Sequence, residues 1–183
     1  MTTVMDRIFR AAKLDRNLYE EVEADKNTLS QALGIVFFSG LAAGIGAVGR
    51  GPAQILFGAA AALIGWFIWA ALIYLIGVKL LPEPQTRSNL GELLRTIGFA
   101  SAPGLIRVLG IFPGMAEIVF FVAAIWMFVA MVLAARQALD YQSTIRAISV
   151  VAIGWIVQMV ILVFALSMMQ QPSPGTGETV APG

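Results

Sequence analysis

Arg95, Arg107, Glu117 and Asp140 stand in or beside long apolar runs, and Glu92 lies one turn from Arg95. An ionisable group in such a place marks either a substrate route or a structural pair near the end of a membrane span. Arg107 and Glu117 can pair across the turn between them, and Arg136 and Asp140 have i,i+4 spacing in the less favourable order. All of these groups fall near expected span ends, where a long side chain snorkels cheaply, so structural pairing is the stronger reading. No acid lies at mid-membrane, which argues against proton-coupled transport. The chain has no histidine and no cysteine. It therefore lacks the usual general base, the commonest zinc ligand and any thiol nucleophile. HExxH, GxSxG and the Walker lysine loop are also missing, and no nucleophile–base pair presents itself. The expectation is a protein that is not an enzyme, with no cofactor, no metal site and no nucleic-acid partner.

Composition sets the frame for these groups. Of 183 residues, 58% are hydrophobic and 13% charged, far from the balance of a soluble domain. This is an all-α integral membrane protein. Residues 1–28 carry acids throughout and have no apolar core of signal-peptide type, so the first apolar run is expected to stay as an anchor. Spans are predicted at about 29–48, 53–78, 90–112, 115–135 and 147–169. A membrane domain thus covers 28–170, preceded by amphipathic helices over 1–27 and followed by a disordered Pro/Gly-rich tail at 171–183.

The third span is the unusual one. "RTIGFASAPGLIRVLGIFPG" (95–114) is apolar but holds Arg95 and Arg107, with a Ser-Ala-Pro-Gly break between them. Pro103 donates no amide and disfavours helix at Ala102. The span is therefore predicted to be kinked or partly unwound there, with Ser101 available to a freed carbonyl and other helices shielding it. The segment either crosses, with both arginines snorkelling to opposite interfaces, or is re-entrant. The positive-inside rule favours crossing. With five spans and a cytoplasmic N-terminus, only Arg50 and Arg107 of the 12 Lys and Arg lie outside. With four spans, Arg50, Arg136 and Arg146 do. The C-terminus is then outside, and the setting is a bacterial inner membrane.

Local signals place the remaining elements. Met5, Ile8, Phe9 and Ala12 recur at helical spacing opposite Arg7, Arg10 and Lys13, which predicts a basic amphipathic helix on the membrane surface. Asp15 fits an N-cap, with Leu14 stapled to Tyr19. "LYEEVEAD" continues that second helix with an acidic face. Arg7, Arg10, Lys13, Tyr19 and Glu20 make a candidate surface for lipid or a protein partner. "TLSQ" at 28–31 reads as a capping box, and Asn89 as a cap with Glu92 at its third position. Gly40 and Gly44 form GxxxG, which lets a helix approach closely, within the chain or across a homodimer. Trp66 and Trp69 lie mid-span and are expected to pack on other helices.

Three segments together resemble one family. "LDRNLYEEVEADKNTLSQALGIV" (14–36), "GELLRTIGFASAPGL" (91–105) and "RQALDY" (136–141) are similar to the YIP-domain family, the Ypt/Rab-interacting membrane proteins, and most of all to its short prokaryotic members. Gly98, Phe99 and Pro103 carry its Gly-aromatic-x-x-x-Pro pattern. The resemblance implies a five-span bundle with a cytoplasmic N-terminus. Eukaryotic members act in early secretory traffic, contact Rab-type GTPases and associate with one another. This chain lacks their long N-terminal region, and "NLYEEVE" stands where they carry Asp-Leu-Tyr-Gly-Pro; both departures argue against GTPase binding. The expected role is a non-enzymatic membrane scaffold or adaptor whose partners are the bilayer and either a second copy or another membrane protein. The alternative is a small transporter or channel, with Ser101, Pro103 and Gly104 lining its site.

Overall fold

A computed structural model describes residues 3–47 and 49–169. The expected tail at 171–183 lies outside the described residues. Two short helices, α1 (Val4–Ala12) and α2 (Arg16–Ala24), precede the long ones. A 3-10 turn at Lys26–Thr28 leads into α3 (Leu29–Gly46). Helix α4 (Pro52–Tyr74) continues as a π-helical stretch, Leu75–Leu80. Helix α5 (Leu90–Phe99) passes into a 3-10 helix, Ala102–Ile111, and α6 (Ala116–Ala138) and α7 (Thr144–Met169) complete the fold. Among the described residues, five segments are long and apolar enough to cross a membrane: Lys26–Gly46, Pro52–Leu80, Leu90–Ile111, Ala116–Ala138 and Thr144–Phe164.

The third segment is the centre of the bundle. Its mean hydropathy is the lowest of the five, 1.2, yet 67% of its most apolar stretch is buried, against 22% for the last segment. It tolerates weak hydropathy because protein, not lipid, surrounds it. It also runs in one direction along α3: Gly98 lies against Ala32, Gly104 against Ser39 and Gly110 against Gly46. A re-entrant loop would turn back along that path. From Ala32 to Gly46 is about 21 Å of α-helix, whereas Gly98 to Gly110 would cover only about 18 Å as α-helix. The 3-10 stretch rises about 2.0 Å per residue and makes up the difference. Pro103 sits at its start, where a missing amide is tolerated, and Ser101 Oγ donates to Ile97 O at 3.4 Å.

The small-residue face of α3 meets α4 within the chain. A Cβ on Gly40 would lie 2.9 Å from Ala59 Cα, and one on Gly44 2.9 Å from Ile55 Cγ2. Trp69 is buried, and Trp66 Nε1 donates to Leu94 O at 3.2 Å, so both indoles pack between helices.

Several local expectations hold and one fails. Asp15 caps α2 by accepting from Asn17 N at 3.0 Å. Asn89 and Glu92 exchange side-chain-to-backbone bonds of 3.1 and 3.0 Å, a reciprocal cap on α5. The capping box at Thr28 does not form. Its buried hydroxyl donates instead to Val22 O at 3.0 Å and Asp25 O at 2.7 Å, closing the end of α2. Gln31 is diverted as well: its carbonyl accepts from Arg7 Nη1 at 3.0 Å.

The N-terminal helices are part of the bundle. Leu18, Tyr19 and Val22 are fully buried with Ala32, Phe99, Ala100 and Ala134. On α1 it is the basic face that meets protein. Met5 and Phe9 are exposed, while Arg7 is buried and Arg10 half-buried. The acidic face of α2 is the reason. Arg7 pairs with Glu21 at 2.8 Å and Asp25 at 3.4 Å, and Arg10 pairs with Asp15 at 2.8 Å and Glu21 at 2.6 Å. Trp126, mid-way along α6, donates Nε1 to Ala12 O at 2.8 Å and fixes the far end of α1.

Candidate functional site

One cleft-like cavity, of about 280 Å³ and open on one side, is lined by residues of all five spans. Ser39 and Gly40 come from α3, Gly65, Trp66 and Trp69 from α4, Ser101 and Arg107 from the broken span, Met127 and Met131 from α6, and Gln158 from α7. The walls are apolar, but three features make the interior chemically specific. Arg107 turns inward: Nε donates to Gly104 O at 3.0 Å, and Nη2 to Ser39 Oγ at 2.7 Å and Ser39 O at 3.2 Å. Among the described residues no carboxylate pairs with it. Among the described residues, the buried donor Trp69 Nε1 and the buried acceptor Gln158 Oε1 have no hydrogen-bond partner. Buried polar atoms in native proteins are nearly always satisfied, so two orphans around one cavity make it a candidate binding place.

The break builds this site. Gly104 leaves room for these side chains: a Cβ there would strike Ser39 Oγ and come within 2.7 Å of Arg107 Nη2 and 2.8 Å of Met127 Sδ, pushing them from their present places. Pro103 shortens no contact itself but starts the 3-10 turns that swing Arg107 toward Ser39.

The sequence-derived candidates divide accordingly. Ser101 and Arg107 line the cavity. Gly98 and Phe99 are packing residues, Gly98 against Ala32 and Phe99 fully buried among the N-terminal helices. Two expectations are corrected at Arg107. It does not snorkel to an interface, and it does not pair with Glu117, because Ser39 and the Gly104 carbonyl capture the guanidinium first. Glu117 is exposed in the first turn of α6. Arg136 likewise does not pair with Asp140; it donates to Tyr141 O and Gln142 O at 3.1 and 3.0 Å, closing the end of α6. Ser39, Trp69 and Gln158 were not foreseen. Gln158 alone carried a signal, an amide inside an otherwise apolar run.

A second, polar groove of about 410 Å³ lies where α2 meets the end of α6. Arg16, Asn17, Glu20, Arg136, Asp140 and Gln142 are among its lining residues. The supposed partner surface needs correction here. Arg7 and Arg10 are consumed by α2, and Tyr19 is fully buried, its phenol pushed above the ordinary range by desolvation. Lys13 and Glu20 stay exposed, Glu20 accepting from Gln137.

Arg95 organises this end. Buried in α5, it donates Nε to Val22 O at 2.9 Å and Nη2 to Glu23 O, so a cation sits at the C-terminus of α2. Glu23 itself is raised from 4.5 to about 7, first by burial, then by Asp140 and Glu92, with Glu20 adding to them and Arg95 opposing. A carboxyl with a raised folded-state pKa binds its proton more readily folded than unfolded, so stability falls as pH rises between about 4.5 and 7. Melting temperature in detergent is expected to be higher at pH 5 than at pH 8, and Glu23→Gln to remove that slope. An unchanged slope in the variant would refute the assignment. The pairs of Asp15, Glu21 and Asp25 act oppositely, since these carboxyls are lowered and lose their contribution only at more acidic pH.

The fold and its sites define a multi-pass helical membrane protein, organised around a broken central span and two fixed N-terminal helices. The Yip1 domain profile matches residues 18–166, and the chain belongs to that family. No curated protein and no solved structure matches the chain.

Proposed function

We propose that this Yip1-domain protein is a non-enzymatic membrane scaffold or adaptor, with the polar groove between α2 and the end of α6 as its partner surface. One observation carries the reading. The three sequence segments that bear the family resemblance converge on this end of the bundle. Arg95 holds Val22 and Glu23, and Glu20 meets Gln137. Leu139 packs on Gly77, while Tyr141 Oη bonds Gly77 O and Leu81 O at 2.8 and 2.6 Å. The groove's exposed charges are left over from that internal pairing. The same reading puts this end in the cytoplasm of a bacterial cell and the C-terminus outside, by the distribution of Lys and Arg.

Deleting residues 1–27 would not test this cleanly, since Leu18, Tyr19 and Val22 are core. Arg16→Glu is the better variant, because Arg16 is exposed on the groove. It is expected to keep the wild-type melting temperature and to lose co-purifying partner in mild detergent. A wild-type protein that purifies alone, or an Arg16→Glu variant that keeps the same co-purifying partner, would end the proposal. The second reading, a small transporter or channel, draws on Ser101 and Arg107 lining the central cavity. Solute flux in liposomes, abolished by blocking a Cys at position 101, would favour it.

A further inference from the structure

We propose that the central cavity binds a phosphate monoester group, held as its monoanion by Arg107, Trp69 and Gln158. This does not rest on the scaffold reading, which concerns the opposite, polar groove.

The argument begins from charge. Arg107 brings one positive charge among helices of high hydropathy, and no carboxylate among the described residues balances it. Its bonds to Ser39 and Gly104 satisfy donors but leave the charge itself uncompensated, an expensive condition in a low-dielectric interior. An anionic group entering the cavity would gain a guanidinium that is already oriented and largely stripped of water. The remaining polar atoms restrict which anion. Trp69 Nε1 only donates, so it requires an acceptor oxygen. Gln158 Oε1, in the amide orientation of this structure, only accepts and so calls for a donor on the same ligand. A carboxylate offers acceptors alone. A phosphate monoester monoanion offers acceptor oxygens to Arg107 and Trp69, and its P–OH to Gln158. Its single negative charge also matches the single cation.

Size agrees. The cavity of about 280 Å³ is equivalent to about nine water molecules, ample for a phosphate group and too small for a whole lipid. Val36, Ala62, Ile97 and the two methionines would contact an apolar substituent rather than a sugar. Two sources share this chemistry: the headgroup of phosphatidic acid entering between helices, and a soluble phosphate.

Trp66 and Trp69 line the cavity and report its occupation directly. The purified full chain would be titrated with inorganic phosphate in neutral detergent. It would then be reconstituted in phosphatidylcholine vesicles with and without phosphatidic acid, reading tryptophan emission and melting temperature. A saturable emission change and a raised melting temperature are expected from at least one probe. A response to phosphatidic acid only assigns a lipid headgroup, and a response to inorganic phosphate assigns a soluble ligand. Arg107→Gln, Gln158→Leu and Trp69→Phe should each weaken binding at least tenfold. Gln158→Leu removes an acceptor that has no partner among the described residues, so it should fold even if Arg107→Gln does not. No saturable response to either probe, or wild-type affinity in folded Gln158→Leu, would overturn the proposal.

Discussion

Gly46→Ala is expected to destabilise the protein by about 3 kcal/mol, while Gly34→Ala in the same helix costs nothing and can add up to about 1 kcal/mol. Both glycines belong to α3, both changes add one methyl, and both improve helix propensity. The difference lies in what the methyl meets. A Cβ on Gly34 has nothing within 4 Å. A Cβ on Gly46 would collide with the backbone carbonyl oxygen of Arg107 and lie 2.9 Å from its carbon, with Phe120 at 3.2 Å behind. A flexible side chain could move aside, but a backbone carbonyl cannot without shifting its helix. The shift would pass along the 3-10 stretch to the Arg107 side chain. Gly46→Ala should therefore also disturb the central cavity and blunt any tryptophan response measured there. Thermal melts of the two variants in one detergent make the comparison. Equal melting temperatures would mean that the broken span is not wedged against α3 as described.

How much of this was legible in the sequence depends on how far each interaction reaches. Asp15 and the Asn89–Glu92 pair were readable because a cap involves residues two or three apart. The close approach at Gly40 and Gly44 was readable because the absence of side chains is itself the signal, although the partner, α4, was not. Thr28 looked like an equally good cap. It failed because carbonyls at the end of α2, brought near by the turn, compete for its hydroxyl. The amphipathic pattern of α1 was real, but a pattern names two faces and does not say which meets protein. The carboxylates of α2 decided that, drawing Arg7 and Arg10 inward and leaving Met5 and Phe9 outside. The break at Pro103 was visible, and so was the need to shield it. The cavity beside it was not, because Ser39, Trp69, Arg107 and Gln158 come from four different spans and share no spacing.

Arg95→Met should loosen the N-terminal helices from the bundle and lower stability by about 3 kcal/mol. The guanidinium makes two charge-assisted bonds, to the carbonyls of Val22 and Glu23 at the end of α2. Such bonds contribute about 1.5–3 kcal/mol each, and after their loss Val22 O keeps only its bond from the Thr28 hydroxyl. The cation also opposes the partial negative charge that a helix C-terminus carries. Met keeps most of the side-chain volume, so the loss isolates the polar contribution from packing. Arg95→Lys should fall between the two, since one ammonium cannot reproduce the fork that spans adjacent carbonyls. Freed of Arg95, α2 should expose the bonds around Lys26 to trypsin well before the spans unfold, because the N-terminal helices would open as a local unit. Glu23 loses its nearest cation in the same variant, so its protonation should extend to higher pH and the stability slope should move with it. Wild-type proteolysis and melting in Arg95→Met would show instead that Leu18, Tyr19 and Val22 hold these helices by packing alone, and that a buried cation at this position serves some end other than docking α2.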